Sequence, residues 1–160
     1  MNAETRGNDN EWKGVDGMIL KEAALTQRIM DTFYAVYNEL GHGFLESVYE
    51  SALCLALTQA GLRVERQKPI QVWFRGEVVG EFKTDIVVEG RVIVETKAAK
   101  SLDSAHEAQL LNYLRATDIE VGLLLNFGER PEVRRLVYDN SRKLRPTQMD
   151  IETAKKDGRG

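Results

Sequence analysis

The sequence predicts an α/β sandwich, a mixed central sheet with helices on its faces. Three observations point there. Ile86-Val87-Val88 with Val92-Ile93-Val94, and then Val121-Gly122-Leu123-Leu124-Leu125, are apolar at consecutive positions, as strands buried on both faces are. Segments with helical spacing of apolar residues precede the first run and separate it from the second. The chain has 160 residues, enough for one domain with a real core.

Residues 1–16 are polar and aperiodic and read as a mobile tail. From Met18 to Leu40, the residues Ile19, Ala23, Ile29, Phe33, Val36, Tyr37 and Leu40 follow a helical period. Gly41-His42-Gly43 breaks it. A second helix is expected from about Phe44 to Ala60, with Gly61 ending it. Leu62 and Val64, then Ile70, Val72 and Phe74, predict a strand or strand pair split by Lys68-Pro69. Arg75-Gly76-Glu77 turns the chain into a strand ending at Val88. Glu89-Gly90 leads into a strand running to Lys97, and a loop follows.

Ser104-Ala105-His106-Glu107 fits a capping box opening a helix that ends near Thr117. The buried strand from Val121 follows, and Val133 to Tyr138 reads as a last strand. The domain is thus expected over residues 17–140, with a charged tail at 141–160. No internal repeat divides it.

Bulk properties narrow the function. Hydrophobic residues make up 42% and charged residues 29%, ordinary for a soluble domain. The one cysteine, Cys54, sits in an apolar run and reads as a small buried hydrophobe. No intrachain disulfide and no Cys/His zinc spacing can be drawn. No long uncharged run suggests a leader or a membrane span, so a reducing cytoplasm is expected. The net charge of −3 is not that of a tight non-specific nucleic-acid binder, although bound cations would offset a site rich in carboxylates. Arg63, Arg66, Lys68, Arg75, Lys83, Lys100 and Arg115 could supply a local basic surface, or simply be solvated faces.

Chemistry gathers at Thr84-Asp85 and Glu95-Thr96-Lys97. Ionisable groups at the ends of buried strands are costly unless they pair or bind something. Glu95 and Lys97 are two apart and share a strand face. Asp85 joins them only if the hairpin loop is odd, because a one-residue slip flips the face. A two-residue loop at Glu89-Gly90 would turn Asp85 away. A three-residue loop, Val88-Glu89-Gly90, would set Asp85 opposite Ile93 and place Gly90 at a left-handed position. Two carboxylates on one face invite a divalent cation, and hard oxygen donors without His or Cys favour Mg²⁺ or Mn²⁺. A salt bridge at a strand end is the plain alternative.

The pattern Asp85…Glu95-Thr96-Lys97 resembles the PD-(D/E)XK nuclease superfamily. Gly43-Phe44-Leu45-Glu46-Ser47-Val48-Tyr49 resembles the motif that names its GxxExxY family, and His106 to Leu114 looks like the helix that follows the active-site hairpin. The resemblance runs from about residue 20 to 138. It implies a restriction-endonuclease-like core, helix, three strands, helix, strand (αβββαβ), and Mg²⁺-dependent (or Mn²⁺-dependent) hydrolysis of phosphodiester bonds, with DNA the expected substrate although the sequence does not separate DNA from RNA.

By the same resemblance Asp85, Glu95 and Glu46 would be metal ligands and Lys97 the catalytic lysine. Gln109 would support the site, and with Tyr113 it would contact substrate. Residue 84 is Thr where the superfamily's name has proline. Thr96 is expected to face away from the site. Tyr49 and Tyr113 also suit core positions with bonded hydroxyls, Glu46 a helix-dipole partner, and His106 a packing or capping group. A homodimer or a protein partner is compatible with the pattern, as is a non-catalytic nucleic-acid- or protein-binding module that keeps the fold.

Overall fold

The computed structural model describes residues 20–143. The expected N-terminal tail and residues 144–160 lie outside them. Three helices, α1 (Ala23–Leu40), α2 (Glu46–Gln59) and α3 (Ser104–Arg115), surround five strands, β1 (Val64–Phe74), β2 (Glu77–Val88), β3 (Val92–Lys97), β4 (Val121–Phe127) and β5 (Pro131–Val137). The strands lie in the order β1-β2-β3-β4-β5. Neighbours are antiparallel except β3 and β4, which are parallel. A parallel pair needs a crossover, and α3 supplies it. This is the mixed α/β architecture of a restriction-endonuclease-like fold.

The two sheet faces have separate cores. Ile86, Val88, Val94, Leu123 and Leu125 face α1 and α2, meeting Phe33, Leu53 and Leu57. Val87, Ile93 and Leu124 face α3, meeting Leu110, Tyr113 and Leu114. Alternate residues of β2, β3 and β4 thus enter opposite cores, which is why those strands are apolar without interruption. Each fully buried Leu, Ile or Phe contributes about 1.5–3 kcal/mol. Phe127 joins helices to sheet: its ring stacks on Tyr49 at 4.3 Å and meets Phe33 edge-on at 4.8 Å.

Several sequence expectations shift. Helix α1 starts at Ala23 rather than Met18, after Glu22 in a left-handed conformation (φ 55°). The stretch split by Lys68-Pro69 is one strand, β1. It lies at the sheet edge, where proline forfeits no inner ladder bond, and Gln67 breaks its regularity with φ 50°. The cap of α3 is Asp103 with His106, one residue before the expected Ser104–Glu107 pair: Asp103 Oδ1 accepts from the His106 N–H at 3.0 Å, and His106 Nδ1 accepts from the Asp103 N–H at 3.2 Å. Arg142 lies over the Tyr138 ring at 4.6 Å, and Lys143 donates to the carbonyls of Thr117 and Ile119. Among the described residues no helix is long and apolar enough to cross a membrane.

Candidate active site

The hairpin between β2 and β3 decides the site. Val88 pairs with Val92, Val87 with Ile93 and Ile86 with Val94. The loop is therefore odd, but it is Glu89-Gly90-Arg91 rather than Val88-Glu89-Gly90. Glu89 (φ 54°) and Gly90 (φ 64°) are both left-handed, and the Arg91 N–H closes on the Val88 carbonyl at 3.0 Å. The ladder ends at Ile86–Val94; extended by one residue, that register sets Asp85 level with Glu95 rather than with Ile93 as expected. The parity is unchanged, so the two carboxylates share the face of Val87 and Ile93.

Their mutual geometry is close. The Asp85 N–H donates to Glu95 Oε1 at 3.0 Å. Asp85 Oδ2 accepts from the Thr96 N–H at 3.0 Å and from the Thr96 hydroxyl at 3.2 Å. Thr96, expected to face away from the site, nonetheless touches it, since its hydroxyl donates to Asp85. Glu95 is only 3% exposed. Burial, and secondarily the Asp85 charge, push its carboxyl up to about 8. Such a group is uncharged at neutral pH until a cation compensates it.

Lys97 ends β3, half-buried on the face of Glu95. Its Nζ donates to Gln109 Oε1 at 3.2 Å. Gln109 and Tyr113 lie one turn apart on α3, and burial, then the Glu95 and Asp85 charges, raise the Tyr113 hydroxyl. Tyr113 is buried and its ring stacks on Phe82 at 4.2 Å. The structure therefore brings Asp85, Glu95, Lys97, Gln109 and Tyr113 together.

Glu46 arrives from the other side, as the first residue of α2, exposed to solvent. Desolvation chiefly raises its carboxyl; Lys97 lowers it and Asp85 raises it further, so it lies in their field. It does not close on the pair, however. Among the described residues no three His, Cys, Asp or Glu side chains gather closely enough to hold a metal ion.

Three groups position the site from outside it, Tyr49 with the bonded hydroxyl its motif position suggested and Asn126 and Glu50 without a sequence signal. The Tyr49 hydroxyl donates to the Gly41 carbonyl at 2.6 Å and accepts from the Phe44 N–H at 3.1 Å. It latches the loop that delivers Glu46, which gives a physical reason for a tyrosine three residues after that glutamate. Asn126, buried beside Lys97 in the next strand, accepts from the Ala99 N–H and donates to the Ala99 carbonyl, both at 2.9 Å. It clamps the chain as it leaves Lys97. Glu50 is held by Gln67 at 2.6 Å and Arg66 at 3.1 Å, tying α2 to β1 beside Asp85. His106 is a capping residue, and Cys54 is buried.

A divalent ion fits this donor set. Asp85 and Glu95 are hard oxygen donors, and burial and the Asp85 charge raise the Glu95 carboxyl more than Lys97 lowers it. No curated protein matches the sequence. Among solved structures, the crystal structure of SSO0001 is similar at 17% identity with a TM-score of 0.49, over 69% of this chain and 55% of that one, so this chain spans little more than half of that protein's length. The model of the PD-(D/E)XK nuclease superfamily matches residues 23–136, which takes in all three helices and the whole hairpin. The chain belongs to the PD-(D/E)XK nuclease superfamily.

Proposed function

We propose that this domain is an active nuclease that hydrolyses phosphodiester bonds of DNA with Mg²⁺ or Mn²⁺, in the manner of the GxxExxY group whose motif it carries. One observation supports this most: a buried glutamate set against an aspartate, with a lysine on the same face held by a glutamine. A structural salt bridge would neutralise Glu95. This arrangement leaves it needing a further positive charge.

Asp85 and Glu95 would hold the ion, and Glu46 would reach it through water. When bound, the ion polarises a phosphoryl oxygen and acidifies water near neutral pH. The chain's own groups do the rest. Lys97, tethered by Gln109, orients the attacking water and offsets negative charge as it develops. The Thr96 hydroxyl keeps Asp85 aimed. The Tyr49 latch keeps Glu46 at the rim, and Gln109 and Tyr113 line the substrate's approach. The buried Cys54 suits a cytoplasmic protein, and cutting both strands of a duplex would call for a second copy or a partner.

The test is activity of EDTA-stripped, reconstituted protein on single-stranded, duplex and branched DNA and RNA with Mg²⁺ or Mn²⁺. Cleavage lost in Asp85→Asn and Lys97→Ala, with circular dichroism unchanged, is the expected result. A metal-loaded protein that binds nucleic acid but cuts none of it would establish the binding-module alternative instead.

A further inference from the structure

A cleft of about 570 Å³ opens between the β1–β2 hairpin and α3, with Gln109 among its lining residues. Its size lies within the range of pockets that enclose a small organic group. Four aromatic rings line it: Trp73 and Phe82 from the hairpin, Tyr113 from α3, and Tyr138 just beyond β5. Phe82 and Tyr113 stack on each other as one aromatic pair, 4.2 Å between centroids and 14° apart. Two exposed polar groups on α3 also line it, the Asn112 amide and the Arg115 guanidinium, the latter 5.7 Å from the Tyr138 ring centroid, as does Lys143, whose Nζ donates to the Thr117 and Ile119 carbonyls.

These groups divide into three kinds. Aromatic walls receive a flat π-system. An amide with both donor and acceptor can read the edge of a heterocycle. A guanidinium binds phosphate. An apolar segment of protein would need none of the polar groups, and a free phosphate none of the rings. We infer that this cleft is a subsite for one unstacked nucleotide, whose base enters among the rings while Arg115 contacts its phosphate.

The inference rests on the nuclease reading for its ligand class. It adds a preference: the chain handled here has at least one unpaired base next to the cleavage site. Gln109 links the two places, since it lines the cleft and accepts from Lys97 at 3.2 Å. A nucleotide in the cleft would therefore be covalently continuous with a phosphate near Lys97. A base within a duplex can reach such a pocket only by leaving its stack, so single strands, ends and junctions are favoured.

The test uses the full chain carrying Trp12→Phe, which leaves Trp73 as its single tryptophan. In EDTA, where no hydrolysis occurs, Trp73 emission is titrated with (dT)4, (rU)4, an abasic tetramer and a blunt duplex. Saturable change with (dT)4 or (rU)4 is expected, the better of the two showing which sugar is preferred. The abasic tetramer should bind at least fivefold more weakly, since base–aromatic stacking is worth roughly five- to a hundredfold in affinity. Asn112→Ala and Arg115→Gln, both at exposed positions, should each weaken (dT)4 binding by fivefold or more. Equal binding of abasic and base-bearing tetramers would overturn the subsite.

Mg²⁺-dependent cleavage by the same protein separates the two conclusions. Cleavage without any base-dependent change at Trp73 sinks the subsite and leaves the nuclease. A base-dependent change with no cleavage of any substrate does the reverse.

Discussion

Glu95→Gln should stabilise the metal-free protein above pH 7 while abolishing its chemistry. Glu95 is held up to about 8 in the fold against an ordinary 4.5. As pH rises past 4.5 the unfolded chain gives up this proton and the folded one keeps it. Over that window the unfolded state binds fewer protons, so stability falls with rising pH until about 8 and then levels. The interval corresponds to on the order of 4–5 kcal/mol. Asp85 shares the cluster, so the part assignable to Glu95 alone is roughly half of that.

Gln keeps the acceptor for the Asp85 N–H and removes the titration. Thermal unfolding in EDTA should show wild-type Tm dropping by roughly 10 °C between pH 5 and 8.5 from this group, given about 3–6 °C per kcal/mol for a domain of this size. The variant should lie higher and flatter. Mg²⁺ should raise the wild-type Tm and leave the variant's unmoved. Parallel pH profiles for the two proteins, or equal Mg²⁺ stabilisation, would refute the reasoning.

Other perturbations read other parts of the site. Gln109→Ala frees Lys97 Nζ from its 3.2 Å partner and should lower kcat by about 10–100-fold with little change in Tm, as misplacing a catalytic group does; steady-state kinetics check both. Tyr49→Phe removes two hydrogen bonds of the Glu46 loop and should cost about 1–3 kcal/mol, with faster amide exchange at Phe44. Gly128→Ala would place a Cβ 2.3 Å from the Ala99 carbonyl oxygen. Backbone cannot yield cheaply, so Tm and cleavage should fall together. Gly122→Ala meets the buried Leu110 side chain, Cδ1 at 2.8 Å and Cγ at 2.9 Å; it should cost about 1–3 kcal/mol as overpacking does, yet spare cleavage.

Much of this site was legible because burial leaves a plain signature. Strands enclosed on both faces must be apolar throughout, so Asp85, Glu95 and Lys97 stood out as ionisable groups with no structural reason to be there. Parity was legible too, since only an odd loop allows a shared face. Which odd loop was not. Both candidates preserve parity and both give Gly90 a left-handed backbone; with Arg91 rather than Val88 in the turn, Val88 pairs with Val92 and the Asp85 N–H reaches the Glu95 carboxylate. The cap on α3 was missed for a related reason, because Asp103 and Ser104 are both good caps and a one-residue choice rests on tertiary fit. The clamp by Asn126 and the hydroxyl contact of Thr96 are long-range in sequence, and no local pattern announces them.

The same geometry explains why the site is built on the hairpin's open end. At Ile86 and Val94 both strand faces are sealed, and a carboxylate there could meet neither metal nor substrate. Beyond Lys97 the chain is in solvent, where a carboxylate keeps its ordinary acidity and binds cations weakly. Asp85 and Glu95 sit at the one step between these limits. Burial on the sheet side raises Glu95, and in the proposed function a cation bound at the open end would recover the free energy lost in folding around an uncompensated carboxyl. The β1–β2 hairpin continues past this point, since β2 pairs with β1 as far as Glu77, and it forms one wall of the aromatic cleft. One pair of strands thus sets the acidity of the centre at its inner end and shapes the approach of substrate at its outer end.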